Sequence, residues 1–472
     1  MSESQSIDVI VIGAGAVGEN AAGRVVEAGL SAVLVEADLV GGECSYWACM
    51  PSKALLRPPA ALAAARSLPG AREAVTGTLD AQQVLDRRTE FTSDWDDSSQ
   101  VDWAADAGVT LLRGRARISG EREVEITHDD GVTTVRARHA VVLATGSTPI
   151  EPGIDGLKGL PYWGTREATS TKAVPASLTV LGGGVSGVEL AQAFSRLGSE
   201  VTIVARSEIL GSYPAEASRL VRRGLEKEGI TLLTSIETTA VSQDQAGLFT
   251  VTLGTGRKIT SEKLLVSTGR HPNTSGLGLE DLRLDPKALE ADDTGRVRDA
   301  GGWLYAVGDV AGKVLLTHQG KYEARVAADA IVARAAGTLG DAAGDWSKFA
   351  STANRYAVPQ VVFTDPEIAM VGRTLEQASK AGIRASETSL AIAVGGSALH
   401  SDGYEGWAQM VVDEERKVLV GMTFAGPDVA ELLHGATIAI VGEVPLDRLW
   451  HAVPSYPTIS EVWLRLLEKY GL

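Results

Sequence analysis

The chain has 472 residues, of which 44% are hydrophobic and 22% charged, and this length predicts roughly three or four globular domains. A formal net charge of −16 argues against a nucleic-acid partner, because the phosphate backbone would be repelled. We see no secretory signal and no apolar run near the roughly 18 to 20 residues of a membrane span, so we expect a cytoplasmic protein without membrane insertion.

The first elements form a dinucleotide-binding pattern. Ile7 to Ile12 predicts a buried parallel strand, and Gly13, Gly15 and Gly18 then open a helix in the spacing GxGxxG. The next predicted strand ends in Glu36, 23 residues after Gly13, close to the usual spacing of about 20. The glycines admit a pyrophosphate at the helix N-terminus, and the acid accepts a hydrogen bond from a ribose hydroxyl. The alternative is a glycine-rich turn without a ligand.

Cys44 and Cys49, the only two cysteines, follow this unit. In a reducing compartment, two cysteines this close indicate redox or metal chemistry, and inert buried thiols are the third alternative. A structural zinc site usually needs four ligands, and the chain has no second cysteine pair.

The geometry of this pair constrains the local backbone. Five residues on a regular helix span about 7.5 Å of rise and 140° of rotation, whereas the Cα atoms of a disulfide lie within about 6.8 Å. Cys44 must therefore precede the helix or lie in a distorted first turn. Pro51 restricts Met50, so we expect no plain helix around Cys49 either. A nearby helix N-terminus would lower the pKa of a thiol and favour the thiolate.

A second copy of the nucleotide-binding pattern begins 169 residues after the first, which indicates an internal repeat. A predicted strand at 178–181 leads into Gly182, Gly184 and Gly187, and the next strand ends before Arg206. Because this copy has Ala205 in place of the acid and a cation at the next residue, we expect it to bind the 2′-phosphate of NADPH. The alternative is that Arg206 is a solvated charge and that NADH binds as well.

The remaining elements complete the predicted organisation. A short strand with a Gly-Asp exit and a long helix precede a small, polar linker near residue 347, and strands and helices alternate beyond it. We predict an FAD-binding domain at 1–150, an NAD(P)H-binding domain at 151–272, a central domain completing the FAD site at 273–347 and a C-terminal dimerisation domain at 348–472.

At the level of motifs, the chain closely resembles the class I pyridine nucleotide–disulfide oxidoreductases over nearly its whole length. Gly41 to Lys53 resembles the family's redox box, GGxCxxxxCxPSK. Ala144 to Gly146 resembles its ATG turn, Gly308-Asp309 its second flavin motif, and Tyr456 to Glu461 occupies the place of its HPTxxE box. The implied fold is α/β, with two Rossmann-like dinucleotide-binding domains and a C-terminal α+β dimerisation domain.

The resemblance also implies cofactors, a homodimer and specific residues. The residues implied for FAD are Gly13, Gly15, Gly18, Glu36, Gly42, Lys53, Ala116, Thr145, Gly146, Ser147, Asp309, Leu315, Leu316, Thr317 and His318. Those implied for the nicotinamide nucleotide are Gly182, Gly184, Gly187, Arg206 and Gly269. The residues implied for the chemistry are Cys44, Cys49, Tyr456, Glu461 and an ion pair of Lys53 with Glu189.

By the same resemblance, hydride passes from the nicotinamide to the flavin and then to Cys49, and Cys44 is the thiol that meets the substrate. The family's disulfide reductases carry a histidine where this chain has Tyr456, and tyrosine, with a reference pKa of about 10, is a poor general base. We interpret His451, five residues upstream, as an ordinary surface or interface histidine. No C-terminal cysteine pair like that of mercuric reductase is present.

A second departure lies between the two cysteines, where Tyr46 and Trp47 replace smaller residues of the family box. They either reshape the substrate approach or pack in the core. We predict electron transfer from NADPH through FAD and the Cys44–Cys49 disulfide to a small-molecule acceptor, an atypical disulfide, a quinone or a metal ion, with no resident metal. The alternatives are dihydrolipoamide dehydrogenase and a flavoprotein redox sensor or electron carrier with little turnover.

Overall fold

The computed structural model describes residues 7–472. The chain divides into two compact units, each assembled from three segments. The first unit consists of Met1–Pro51, Thr89–Ile150 and Arg270–Asn354, and the second of Ser52–Arg88, Glu151–Gly269 and Arg355–Leu472. The four domain boundaries drawn from the sequence stay predictions.

The segment up to residue 150 contains the first nucleotide-binding pattern and the cysteine box. Its elements are β1 (Ile7–Ile12), α1 (Ala16–Glu27), β2 (Ala32–Glu36), α2 (Gly42–Tyr46), α3 (Cys49–Arg66), α4 (Ala71–Ala74), α5 (Ala81–Phe91), a 3-10 turn (Ser93–Trp95), α6 (Ser98–Asp106), β3 (Thr110–Arg113), β4 (Arg115–Gly120), β5 (Glu123–His128), β6 (Gly131–Leu143) and β7 (Ser147–Pro149).

The segment from 151 to 269 contains the second nucleotide-binding pattern. Its elements are α7 (Thr165–Ser170), β8 (Ser177–Leu181), α8 (Val185–Arg196), β9 (Glu200–Val204), α9 (Ala215–Lys227), β10 (Thr231–Leu233), β11 (Thr238–Gln243), β12 (Phe249–Leu253), β13 (Lys258–Ser261) and β14 (Lys263–Val266).

The rest of the chain returns to the first unit and then completes the second. Its elements are β15 (Arg270–Pro272), a 3-10 turn (Glu280–Leu282), β16 (Leu304–Ala306), a 3-10 turn (Gly308–Ala311), α10 (Thr317–Ala335), α11 (Ala353–Tyr356), β17 (Pro359–Val362), β18 (Glu367–Gly372), α12 (Leu375–Lys380), β19 (Ala385–Ala391), α13 (Gly395–His400), β20 (Trp407–Asp413), β21 (Val418–Gly426), a 3-10 turn (Ala430–Leu432), α14 (Leu433–Val441), α15 (Leu446–Leu449) and α16 (Glu461–Tyr470).

In the first unit, a seven-stranded sheet has the order β3-β2-β1-β6-β5-β4, with β16 beside β6. Strands β3, β2, β1, β6 and β16 pair in parallel, whereas β4, β5 and β6 pair antiparallel. The apolar run of β1 suits a central strand, because both of its faces are covered. Helices α1 and α10 pack together on one of these faces.

Strand β6 differs in burial along its length. It begins nine residues before its continuously buried stretch at 140–143, because its exposed first half pairs with β5 while its buried second half pairs with β1. Polar residues on that exposed half hide the strand from a search for apolar runs.

The second unit holds three sheets. A parallel sheet has the order β10-β9-β8-β14, a three-stranded antiparallel sheet the order β11-β12-β13, and a five-stranded antiparallel sheet the order β17-β18-β21-β20-β19. The first unit's β1-α1-β2 and the second unit's β8-α8-β9 are both parallel strand–helix–strand repeats, so the predicted α/β class with two Rossmann-like folds is confirmed. No helix within 7–472 has the length and apolar character to cross a bilayer.

Candidate active site

The first glycine turn leaves no room for side chains where the helix meets the sheet. A Cβ on Gly13, whose φ is +101°, would lie 2.5 Å from the carbonyl oxygen of Ala144, and one on Gly18 would lie 1.8 Å from the carbonyl oxygen of Gly13. Gly15 differs, because its nearest neighbour would be the Cα of Gly42 at 3.9 Å. Two glycines therefore allow close packing, and the third keeps the turn open to a ligand.

Glu36 lies at the end of β2, beside this turn. Its carboxylate accepts hydrogen bonds from the backbone N–H of Ala14 at 2.6 Å and of Asp38 at 2.7 Å. Burial raises the pKa of Glu36, although these hydrogen bonds oppose the shift. A carboxylate held at this place is oriented to accept from a ribose hydroxyl.

The ATG turn and the Gly-Asp motif are joined in the first unit. The hydroxyl of Ser147 donates to Oδ2 of Asp309 at 2.5 Å, and Nε of Arg270 donates to the same hydroxyl oxygen at 2.7 Å. The backbone N–H of Gly308 donates to Oε2 of Glu323, a buried acid of α10, at 2.6 Å. These contacts hold Asp309 in a defined position.

Sequence reasoning missed both Arg270 and Glu323. Arg270 lies just beyond the second nucleotide pattern, and nothing in its spacing indicates a contact with the ATG turn. Glu323 does leave a signal, since it is an acid on the face of α10 that is otherwise rich in alanine.

The other residues predicted for the flavin occupy mixed positions. Ala116 is buried in β4, and Leu316 precedes the first turn of α10 in an extended conformation. Leu315 and His318 are exposed, whereas Thr317 is half-buried. Their roles toward a flavin stay predictions.

The donor set of the first unit fits FAD. An open glycine turn lies at the N-terminus of α1, a carboxylate lies at the end of β2, and Asp309 is held at the start of a 3-10 turn. These are the groups that a dinucleotide's pyrophosphate and ribose hydroxyls require.

The cysteine box breaks between two helices, as the pair's spacing predicts. Cys44 lies in the single turn of α2, the chain leaves helical geometry at Trp47, and Cys49 is the first residue of α3. The expectation that Pro51 excludes a regular helix here was wrong. Pro51 lies in the first turn of α3, where the missing N–H has no intrahelical partner to lose.

Both cysteines are thiols in this structure, and their side chains are hydrogen-bonded to each other. The Sγ of Cys49 also lies 3.3 Å from Oγ1 of Thr317 at the start of α10. The expected lowering of thiol pKa does not hold for Cys44. Its hydrogen bond to Cys49, together with burial, raises the pKa of Cys44 well above the usual range.

Tyr46 belongs to the core. Only 2% of it is exposed, and its ring lies so close to Gly41 that a Cβ there would approach it to 2.9 Å. Its backbone carbonyl accepts from Nε1 of Trp95 at 3.1 Å. Trp47 is half-buried beside it, with ring centroids 5.7 Å apart. Packing therefore accounts for Tyr46, whereas Trp47 retains an accessible surface.

The second glycine turn repeats the geometry of the first inside the second unit. A Cβ on Gly182 would lie 2.1 Å from the carbonyl oxygen of Ser267, and one on Gly187 would lie 2.5 Å from the carbonyl oxygen of Gly182. Gly184 has open space at this position, and Gly269 has a φ of +124°. A second dinucleotide site is therefore sterically feasible in this unit.

Arg206 follows β9 one residue after Ala205, which holds the position that corresponds to Glu36. It is exposed, and no ion pair to it is found within residues 7–472. Its guanidinium is thus accessible to an anionic ligand.

The predicted ion pair of Lys53 with Glu189 is present in the second unit. Nζ of Lys53 lies 2.7 Å from Oε2 of Glu189, whose Oε1 accepts from the backbone N–H of Phe363 at 2.9 Å. The ammonium also lies 4.9 Å from the centre of the Phe363 ring. Glu189 is buried and is held by the backbone N–H of Phe363, so it fixes the position of the Lys53 ammonium that pairs with it.

Tyr456 lies in the turn before α16, Glu461 is the first residue of α16, and no hydrogen bond joins their side chains in the described chain. Tyr456 is 78% exposed and rests against Gly395, where a Cβ would lie 3.1 Å from its ring. Glu461 is only 8% exposed; its Oε1 accepts from Arg465 at 2.6 Å, while its Oε2 has no hydrogen-bond partner in the described chain. The acid that orients histidine in the family therefore does not hold Tyr456.

No group of three or more histidine, cysteine or acidic side chains within residues 7–472 is arranged to hold a metal ion.

Residues 7–334 match the family model described as pyridine nucleotide-disulphide oxidoreductase, and residues 358–466 match that family's dimerisation domain. The chain is 34% identical to the dihydrolipoyl dehydrogenase of Thermus scotoductus, covering 97% of this chain and 96% of that protein. It is 31% identical to the mercuric reductase of Shigella flexneri, covering 97% and 80% respectively.

Two solved structures share the fold. The HOCl-induced flavoprotein disulfide reductase RclA of Escherichia coli, in its Cu(II) complex, matches with a TM-score of 0.82 at 21% identity, over 98% of this chain and 99% of that one. LpdA of Mycobacterium tuberculosis matches with a TM-score of 0.80 at 23% identity, over 99% and 100%. The dimerisation domain supports a homodimer. This chain belongs to the pyridine nucleotide–disulphide oxidoreductases, enzymes that depend on FAD and a pyridine nucleotide and act on sulfur groups.

Proposed function

We propose that the protein transfers electrons from NADPH, through FAD, to the Cys44–Cys49 pair and on to a small-molecule acceptor other than lipoyl or glutathione disulfide. The observation that carries this proposal is the hydrogen-bonded thiol pair formed by Cys44 in α2 and Cys49 at the start of α3, combined with an exposed tyrosine where the family uses a histidine. The acceptor is an atypical disulfide, a quinone or a metal ion.

The cofactors would be held by the two glycine turns. Gly13, Gly15, Gly18, Glu36 and Asp309 would bind FAD, which when bound accepts hydride from the nicotinamide and returns the electron pair to sulfur. Gly182, Gly184, Gly187 and Arg206 would bind NADPH, and the exposed guanidinium would pair with its 2′-phosphate.

The residues of the chain then divide the remaining work. Thr317 contacts Cys49 and orients its sulfur, and Glu189 positions the ammonium of Lys53. Cys44 meets the acceptor. Tyr456 would donate a hydrogen bond to the acceptor from the partner subunit of the homodimer, since its exposed side chain is accessible to a second copy.

Dihydrolipoyl dehydrogenase is the second candidate, because 34% identity to such an enzyme extends over nearly the whole chain. A metal ion as acceptor gains support from the 31% identity to a mercuric reductase, although this chain has no cysteine near its C-terminus.

One experiment separates these functions. The FAD-loaded protein is mixed anaerobically with NADPH or NADH, and flavin reduction is followed before dihydrolipoamide, glutathione disulfide, 5,5′-dithiobis(2-nitrobenzoate), benzoquinone, Hg(II) or Cu(II) is added. We expect faster reduction by NADPH and turnover with one of the last four acceptors. Rapid lipoamide turnover would establish the second candidate, and a reducible flavin that passes electrons to none of them would indicate a redox sensor or carrier.

Replacing Tyr456 by histidine is expected to create disulfide reductase activity. Positioned acid–base groups contribute typically about 10²- to 10⁴-fold, and the unpartnered Oε2 of Glu461 is available to orient an imidazole. We expect Tyr456→His to raise the rate with lipoamide or glutathione disulfide by at least about tenfold.

The matched control is Tyr456→Phe, which keeps the ring and removes the hydroxyl. The gain should disappear in the double variant Tyr456→His, Glu461→Gln, because the amide no longer attracts an imidazolium. A rate of Tyr456→His equal to that of the wild type would mean that another feature, such as Trp47, limits exchange.

A further inference from the structure

Glu19 is a partly buried acid without an assigned role. It follows Gly18 in the first turn of α1, and its side chain is half-buried. Its Oε1 is completely buried and has no hydrogen-bond partner in the described residues. Buried polar atoms are nearly always satisfied, so this oxygen is a place where a water molecule or a reacting group binds.

The carboxyl of Glu19 lies among the elements that surround the thiol pair within the first unit. Helix α1 packs against both α2, which carries Cys44 and Tyr46, and α10, which carries Thr317. Lys321 follows Thr317 by one turn of α10, and its charge acts on Cys44 as well as on Glu19. The charge of Lys321 therefore influences both the orphaned carboxyl and the Cys44 thiol.

The charges around Glu19 are few. Lys321 faces it from α10 and Glu36 from β2, and the charge of Glu19 in turn acts on Tyr46 in α2. Burial raises the pKa of Glu19 to about 7, against the opposing charge of Lys321. A carboxyl with a pKa raised in this way suits proton transfer near neutral pH.

We propose that Glu19 carries the proton of Cys44, through one water molecule at its unpartnered oxygen, and that Lys321 stabilises the resulting thiolate. This places within one subunit the task that the family gives to a C-terminal histidine. It rests on the proposed function, because it requires Cys44 to meet the acceptor.

A disulfide acceptor RS–SR oxidises the cysteine pair in two successive thiol–disulfide exchanges. The carboxylate of Glu19 takes the proton of Cys44, and the thiolate attacks one acceptor sulfur, so that a mixed disulfide forms and RS⁻ leaves. Glu19 gives its proton to that RS⁻. Cys49, whose proton has gone to solvent, attacks the sulfur of Cys44 and expels the second RS⁻, which takes a proton from solvent. The acceptor gains two electrons, and the cysteine pair loses two.

The test is the pH dependence of Cys44 alkylation. The FAD-loaded protein is reduced anaerobically by NADPH and treated with iodoacetamide between pH 5.5 and 9, and each cysteine's modification is quantified by mass spectrometry. We expect the rate at Cys44 to rise through an ionisation near pH 7. In Glu19→Gln this inflection should vanish, and the rate at pH 7.5 should fall at least about tenfold.

A purely electrostatic influence has the opposite sign, because removal of a negative charge lowers the pKa of a nearby thiol and speeds alkylation. Glu27→Gln makes the same charge change at an exposed position of α1 and should leave the profile unchanged. Lys321→Met should move the Cys44 inflection to higher pH. An unchanged profile in Glu19→Gln, or faster alkylation, would overturn the proposal.

If Glu19→Gln fails to retain FAD, the same profile is measured on the dithiothreitol-reduced protein, where alkylation needs no flavin. The two proposals fail separately. If the wild type oxidises NADPH with an acceptor but the Glu19→Gln alkylation profile is unchanged, only the role of Glu19 is refuted. If the wild type turns over no acceptor, the proposed function is refuted, and the alkylation profile still tests whether Glu19 takes the proton of Cys44.

Discussion

Cys44→Ser and Cys49→Ser are expected to lose acceptor reduction by about a thousandfold or more, while NADPH still reduces the flavin at the wild-type rate. Removal of a nucleophile commonly costs this much or more. The hydrogen-bonded pair requires both sulfurs, because a lone thiol cannot close the intrachain disulfide that releases product. Stopped-flow absorbance separates the two half-reactions, with flavin bleaching reporting the first and acceptor reduction the second.

Ser45→Ala is the matched control, since it alters the residue next to Cys44 without touching either sulfur. Comparing disulfide and quinone acceptors shows which of them needs the cysteine pair. Turnover of disulfides should be lost in both cysteine variants, whereas benzoquinone reduction that survives would show that quinones take electrons without the cysteine pair. Disulfide turnover near the wild-type rate in either variant would contradict a two-thiol mechanism.

Arg206→Ala is expected to raise the KM for NADPH by roughly 10- to 100-fold and to leave the KM for NADH unchanged. A hydrogen bond to a charged group contributes about 1.5–3 kcal/mol to binding. The exposed guanidinium pairs with no acid in the described chain, so its removal should affect only the contact with the nucleotide. The rate of flavin reduction is measured against the concentration of each nucleotide.

Arg257→Ala provides the comparison, because Arg257 is also exposed in the second unit but lies in the turn between β12 and β13. Its nucleotide dependence should match that of the wild type. A wild-type protein that is reduced faster by NADH than by NADPH, or an Arg206→Ala variant with an unchanged KM for NADPH, would show that Arg206 is only a solvated charge.

The local motifs were readable because each depends on a short-range physical constraint. Glycine is required at positions 13 and 18, because any Cβ there would overlap with the neighbouring backbone. The break between α2 and α3 follows from the incompatibility of a five-residue helical spacing with a disulfide. The pair of repeats likewise follows from strand, turn and helix periodicity.

Other features could not be read from the local sequence pattern. Pro51 is compatible with α3 only because it falls within the first turn, and a one-residue difference in where a helix starts cannot be read from the dipeptide alone. The sequence leaves open whether Tyr46 shapes the substrate approach or packs in the core, and the position of its ring against Gly41 decides for packing. Arg270 and Glu323 became visible only once β15 and α10 were placed beside the flavin motifs.

By itself, the sequence determined the family, the α/β class and the two cysteines, since spacing along the chain encodes local backbone geometry. Only the tertiary structure decided that Tyr46 packs in the core, that Glu461 does not hold Tyr456 and that one carboxyl oxygen of Glu19 is buried without a hydrogen-bond partner in the described chain. Burial and partner choice arise from segments hundreds of residues apart, such as α1 and α10, and no local pattern records which side chains those segments bring together.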